Sequence, residues 1–196
     1  MGRLPRPFRS LHLSSWTGAA LLYVSAGQIG AMVPFEVAGN TSVQMLVTYA
    51  GLSSKPYPLS VAATAPGIFS ADGSGKGQGA ILNYNAATND YAVNSSSAQA
   101  VKGSIVVIYV TGSGVTVPAS NSWLPAAAGV NAASAASVTI DGKSASVVSG
   151  VPVGSFPGVL QLNVTVPPDA SSGKAVPVTV NIGGVDAQTG VTMAIK

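Results

Sequence analysis

With six carboxylates, one histidine and no cysteine, this chain of 196 residues lacks the raw material for most acid–base and metal chemistries. The acids are Glu36, Asp72, Asp90, Asp141, Asp169 and Asp186, and the histidine is His12. A Ser-His-acid triad needs all three groups converging on one point, and no carboxylate lies within twenty residues of His12. Gly112-Ser113-Gly114 lacks the spacing of a nucleophile elbow. Asp72-Gly-Ser-Gly-Lys-Gly-Gln-Gly79 has the glycines of a phosphate loop, but Gly77 follows Lys76 where Ser or Thr is required. It fails as a calcium loop too, because the twelfth position counted from Asp72 is Asn83 and not a bidentate Glu. No catalytic residue, cofactor-binding residue or metal ligand is assigned, and the chain reads as a non-enzyme.

The remaining chemistry is that of surfaces. Trp123, Tyr84 and Tyr91, with Trp16, are candidates for a glycan-stacking platform, each ring contributing about 0.5–1.5 kcal/mol beyond its area burial. Their spacing follows no pattern, so packing in a core or turn is the competing reading. Asn40-Thr-Ser42, Asn94-Ser-Ser96 and Asn163-Val-Thr165 fit the N-glycosylation pattern, a short motif that by itself carries little weight. The net charge is +3, yet Arg3, Arg6 and Arg9 all fall in the first nine positions. Beyond them Lys and Arg are scattered, not clustered among aromatics as a nucleic-acid binder would place them.

Composition narrows the class further. Apolar residues make up 47% of the chain and charged residues 8%, against roughly a quarter charged in an average soluble domain. That excludes charge-rich disorder and disfavours a helical bundle. A surface of Ser, Thr, Asn and Gly suits an exported bacterial protein, extracellular or on the cell surface. No apolar run reaches the ~18–20 residues of a membrane span. Residues 1–18 resemble a signal-peptide leader, but Ser14, Ser15, Thr17 and Gly18 interrupt the apolar stretch. They are read as a retained leader-like extension.

The elements that must position these residues are short and β-rich, bounded by turn residues at intervals of about ten, which is the pattern of a sandwich. Strands are predicted at residues 20–24, 28–33, 43–49, 59–62, 80–83, 104–111, 137–140, 144–148, 160–166, 176–182 and 190–195. Val43-Gln-Met-Leu-Val-Thr-Tyr49 and Val176-Pro-Val-Thr-Val-Asn-Ile182 place apolar residues at alternate positions, giving each one core face. Ser104-Ile-Val-Val-Ile-Tyr-Val-Thr111 is continuously apolar and reads as a central strand buried on both sides. Asp141-Gly142 predicts a hairpin. In the Ala-rich stretch 124–136, Pro125 and Gly129 leave room for no more than a helical turn.

An internal repeat is visible at a shift of 133 positions. Gln28-Ile29 matches Gln161-Leu162, Val33-Pro34 matches Val166-Pro167, Val43 and Val47 match Val176 and Val180, and Gly51-Leu52 falls on Gly184-Val185. Two β units follow: a short one over residues 19–64 and a larger one over 65–196, with the boundary at Thr64-Ala65-Pro66-Gly67. The stretch before Gln28 has no match to the Thr-Ile-Asp-Gly hairpin, so the first unit is expected to be short of a strand. Leu11, His12 and Leu13 are the candidate segment to fill the slot, within the chain or, as the favoured reading, from a neighbouring copy.

Tyr23-Val-Ser-Ala-Gly-Gln-Ile29, Val33-Pro-Phe-Glu36, Ala65-Pro-Gly-Ile-Phe69, Gly77-Gln-Gly-Ala-Ile-Leu-Asn83 and Gly103-Ser-Ile-Val-Val-Ile-Tyr-Val-Thr-Gly112 occur in that order. With Leu160-Gln-Leu-Asn-Val-Thr-Val-Pro167, they resemble an uncharacterised C-terminal domain family of large secreted acidobacterial proteins, Solibacter-type among them. The resemblance covers residues 19–196. It implies an immunoglobulin-like β architecture and supplies no active site. Two readings follow. The first is a structural or adhesion module of two immunoglobulin-like sandwiches, partnered by its own copies or by other surface proteins. The second is a carbohydrate-binding accessory domain that holds a larger secreted protein to polysaccharide.

Overall fold

The computed structural model describes residues 9–13, 17–122, 127, 129–154, 156 and 158–196. The protein is all-β. Among the described residues the only helical element is a single 3-10 turn, Phe35–Val37. Seven strands come first: β1 Arg9–Leu13, β2 Thr17–Gly18, β3 Leu21–Val24, β4 Ile29–Ala31, β5 Ser42–Tyr49, β6 Leu52–Ser53 and β7 Tyr57–Ser60. Then come β8 Gly67–Ile68, β9 Gly77–Gln78, β10 Ile81–Asn85, β11 Asp90–Val93, β12 Ile105–Thr111, β13 Thr116–Val117 and β14 Asn131–Ala132. The chain closes with β15 Ala136–Ile140, β16 Lys143–Pro152, β17 Val159–Thr165, β18 Gly173–Ile182, β19 Val185–Asp186 and β20 Val191–Ile195.

No ladder joins a strand of the first group to one of the later strands among the described residues. The later strands other than β13 and β14, which pair with each other, form one curled sheet, ordered β11-β10-β12-β17-β16-β15-β18-β20-β9, with β8 on β12 and β19 on β18. β16 is the corner. Its first residues pair with β15 (Thr139↔Ser144) and the rest with β17 (Gly150↔Leu162), across a bulge between Val147 and Ser149. A bulge adds a residue on one side of the ladder and bends the strand, so the sheet folds back over itself. Val106, Ile108, Val110, Leu160, Leu162 and Val164 then meet Val138, Ile140, Val178, Val180, Met193 and Ile195 in one sandwich-type core. The apolar run expected to be central is β12, held between β10 (Leu82↔Val107) and β17 (Ile108↔Leu162), with Val106, Val107, Ile108 and Val110 all buried. Asp141 and Gly142 take φ values of 58° and 69°, as the predicted two-residue hairpin demands. The described part of 124–136, for which a helical turn was the upper limit, holds the strand Asn131–Ala132.

The first seven strands have a smaller core of Val37 and Val43 with Met45, Leu59 and Val61 against them. They repeat the last six strands of the chain. β5 pairs with β6 at Thr48↔Ser53 and Tyr49↔Leu52, and β18 pairs with β19 at Asn181↔Asp186 and Ile182↔Val185, every residue displaced by 133. β1 lies on β5 as β15 lies on β18: Leu11↔Val47 corresponds to Val138↔Val180, and Ser10↔Thr48 to Ser137↔Asn181. Even the bulge recurs, between Leu21 and Tyr23 on β3, opposite Ala31 and Gly30 on β4. β2 and β3 together therefore stand for β16, and β4 stands for β17.

This corrects two expectations. The described part of residues 1–18 is not an extension: Arg9–Leu13 and Thr17–Gly18 are sheet strands. The hairpin thought to be missing before Gln28 is present, with Ser-Leu-His-Leu in place of Ser-Val-Thr-Ile. The first unit is short of strands at another place. Nothing among its described residues corresponds to β12, the second neighbour of β17.

Candidate functional site

β10 and β11 form a hairpin in which Asn83↔Ala92, Tyr84↔Tyr91 and Asn85↔Asp90 are cross-strand pairs. Its turn is closed locally. The Ala87 N–H donates to Asn85 Oδ1 at 3.1 Å, and Asn89 takes a left-handed φ of 56°, which asparagine tolerates. Directly opposed side chains on one face of a sheet are in contact, and the Tyr84 and Tyr91 rings lie 5.2 Å apart, tilted by 38°. The Tyr84 hydroxyl donates to Asn89 Oδ1 at 3.1 Å or accepts from its amide if that group is reversed. Tyr91 is 54% exposed. The pair borders a cleft of about 860 Å³, lined also by Asn85, Gln99 and Ser104. An exposed aromatic face beside amide and hydroxyl groups is chemistry that suits a hydroxyl-rich ligand.

Behind the hairpin, Asn94 ties this surface to the end of the chain. It is wholly buried, accepts the Ala194 N–H at 2.7 Å and donates to the Ala194 carbonyl at 2.8 Å. Its amide also donates to Asn83 Oδ1 at 2.9 Å and accepts from the Gln78 side chain at 3.1 Å. Asn83 in turn donates to the Ala98 carbonyl at 2.8 Å. The glycosylation motif at Asn94 is therefore structural, a buried amide with its partners supplied. Sequence reasoning missed this network. The alternation Asn83-Tyr84-Asn85 was its signal, but the partners lie at Ala98 and Ala194, far along the chain.

Of the residues expected to stack on glycans, Tyr84 and Tyr91 are brought together, while Trp123 and Trp16 lie outside the described residues. Leu11, His12 and Leu13 are paired with Val47, Leu46 and Met45 of the same chain, and Leu11 is buried. The slot they were expected to fill from a neighbour is thus occupied from within. The first half of the glycine loop after Ser70 is closed by its own hydrogen bonds, while the Gly77 and Gly79 N–H groups donate to the Gly190 and Thr192 carbonyls. Asp72 accepts the Ser74 N–H at 2.9 Å and the Ser70 hydroxyl at 3.1 Å, and the Gly75 N–H donates to Ser70 Oγ at 2.8 Å. The Ser74 main-chain N–H, then hydroxyl hydrogen bonds, hold the Asp72 carboxyl below its ordinary pKa.

Two further carboxylates are depressed the same way. Asp141 accepts the Ser171 N–H at 2.8 Å and lies 3.6 Å from the Lys143 ammonium, the hydrogen bond being the larger cause. Glu36 receives the Ser122 hydroxyl at 2.5 Å, and Ser122 Oγ accepts the Phe35 N–H at 2.7 Å. That hydroxyl, then the residue's own N–H, lowers the Glu36 pKa. The contact joins the two units across a seam. Gly112 and Gly114 belong to the seam as well, at φ of 72° and 77°: a Cβ on them would stand 1.8 Å from the Ala65 carbonyl oxygen and 2.2 Å from that of Ala63. The Gly-Ser-Gly triplet lets the linker pass. The chain matches no family model, and no curated protein matches it in sequence.

Proposed function

We propose that the protein is a non-enzymatic structural or adhesion module of an exported protein, made of two immunoglobulin-like units in tandem. It works outside the cell or at its surface, and it joins other chains by β-strand addition. The observation that supports this best is the repetition of one strand pattern, register for register and bulge for bulge. A chain that repeats a β unit across a short, hydrogen-bonded seam is built to span and to hold. The low charge favours contact between chains, since little Coulomb repulsion opposes it. The resemblance to C-terminal domains of secreted acidobacterial proteins agrees with this reading.

Sedimentation of the full chain at several concentrations, beside a chain lacking residues 1–18, is the test. The deletion bares β5 from Met45 to Tyr49, so the oligomeric state is expected to change. A deletion that stays folded, monodisperse and in the parent's state would count against assembly by strand addition. A second reading, a carbohydrate-binding accessory domain, is favoured by the Tyr84–Tyr91 cleft. Saturable retention on polysaccharide that is lost in Tyr91→Ala or Trp123→Ala would select it over the first.

A further inference from the structure

The correspondence between the two units shows what the first one lacks. β17 lies between β16 and β12, whereas β4 pairs with β3 alone among the described residues. The Ser25 N–H donates to the Gln28 carbonyl and the Met32 N–H to the Ala20 carbonyl, both at 2.8 Å. Residues 28 and 32 thus aim their main chain at β3. Alternation along the strand turns the N–H and C=O groups of Ile29 and Ala31 to the opposite side. No strand of the described residues pairs with that side.

Natural sheets protect a bare edge with charge, proline or a cover. β7, the counterpart of β20, shows the first two, with Lys55, Pro56 and Pro58 at or beside it. Residues 17–33 contain no charged residue and no proline. The side chains beside β4 are apolar and open, Leu22 at 56%, Tyr23 at 50% and Val33 at 64% exposure. One edge of the unit is guarded against pairing, and this one is not.

We propose that the free side of β4 is a strand-docking site whose occupant is an extended, uncharged, β-branched strand of another polypeptide. It lies antiparallel to β4, in the register that β12 holds against β17. This rests on the reading of the chain as a module that joins others by strand addition, and it specifies where and with what. The second unit supplies the template. Ile108 opposes Leu162 and Val106 opposes Val164, so the corresponding residues of the incoming strand oppose Ile29 and Ala31. Main-chain bonds to Ile29 and Ala31 provide affinity, and alternate side chains provide selectivity. A second copy is not the donor, because its own strand of this type, β12, is held between β10 and β17 with four successive or alternate valines and isoleucines buried.

The probe is a labelled peptide of residues 103–111 with two added lysines at each end, titrated into the full chain and followed by anisotropy and amide NMR. Saturable binding is expected, with the largest shifts at Ile29, Gly30 and Ala31 and at least about tenfold weaker binding of a scrambled peptide. Ala31→Pro removes an outward N–H and is expected to weaken binding by about tenfold while the melting temperature is retained. Two peptides N-methylated on alternate amides carry the test if that variant unfolds. One set should lose about tenfold and the other should not, since only one faces β4. Equal binding of both sets, shifts elsewhere, or no saturation would overturn the proposal. So would a dimer of the chain alone that Ala31→Pro dissociates, because the donor would then be a second copy. Peptide that fails to bind while the chain still assembles would reject this edge and leave strand addition itself standing.

Discussion

Asn94→Ala measures how far the closing strand depends on one buried amide. The side chain is 0% exposed and serves both main-chain groups of Ala194, itself 0% exposed between Met193 and Ile195 of the core. The Ala194 carbonyl keeps a second donor, the Ala100 N–H at 2.9 Å. The Ala194 N–H is left without its acceptor, which costs about 1–3 kcal/mol for a buried group. Asn83 and Gln78 each lose a partner as well, at about 0.5–1.5 kcal/mol apiece. The sum is roughly 2–6 kcal/mol, a large share of a total stability of about 5–15 kcal/mol. At about 2–4 °C per kcal/mol the melting temperature falls by about 4–24 °C. Thermal unfolding by circular dichroism reads the loss, and hydrogen exchange at the Ala194 amide locates it. Asn94→Asp fares no better, because the donor is lost and a charge is buried. A melting temperature within about 2 °C of the parent for Asn94→Ala would refute the reasoning.

Val110→Asp places a charge between Ile68 and Leu160 with no partner, and a loss of several kcal/mol in chemical denaturation is expected; an unchanged midpoint would remove β12 from the core. Gly112→Ala meets the Ala65 carbonyl at a φ of 72°, so a loss of at least about 1–3 kcal/mol should appear in the same assay. Glu36 has a folded pKa below its ordinary 4.5, so its contribution is present above that value and is lost as pH falls through the lowered one. Glu36→Gln should therefore show a smaller drop in melting temperature than the parent between about pH 6 and pH 3, a modest effect because the carboxylate is exposed. Tyr91→Ala should cost no more than about 0.5–1.5 kcal/mol, the worth of its ring pair with Tyr84, and a larger loss on melting would make the ring a structural prop instead of a binding face.

The strands were legible because β-structure is written in neighbours. Residues two apart share a face, so Val176 to Ile182 announces β18 and the unbroken run from Ile105 announces β12 before any partner is known. The Asp141-Gly142 turn is local in the same sense, and the repeat at Gln28 and Gln161 follows from like strands having like patterns. The strand at Arg9–Leu13 was legible only in part: Leu11, His12 and Leu13 read as a segment able to fill a strand slot, but not as a strand of the chain's own sheet. Ser-Leu-His-Leu alternates, but three arginines and an apolar stretch after it gave the look of a leader, and only pairing with β5 makes it a strand. Asp90–Val93 was missed for a similar reason, since its burial pattern is exposed throughout and it exists as the partner of β10. Tyr84 and Tyr91 are seven positions apart, and no periodicity brings them together; the hairpin register does. The open side of β4 is furthest from the sequence of all. An edge is defined by which distant strand pairs with it, and that depends on the three-dimensional order of strands, where residues many positions apart compete for the same row of hydrogen bonds.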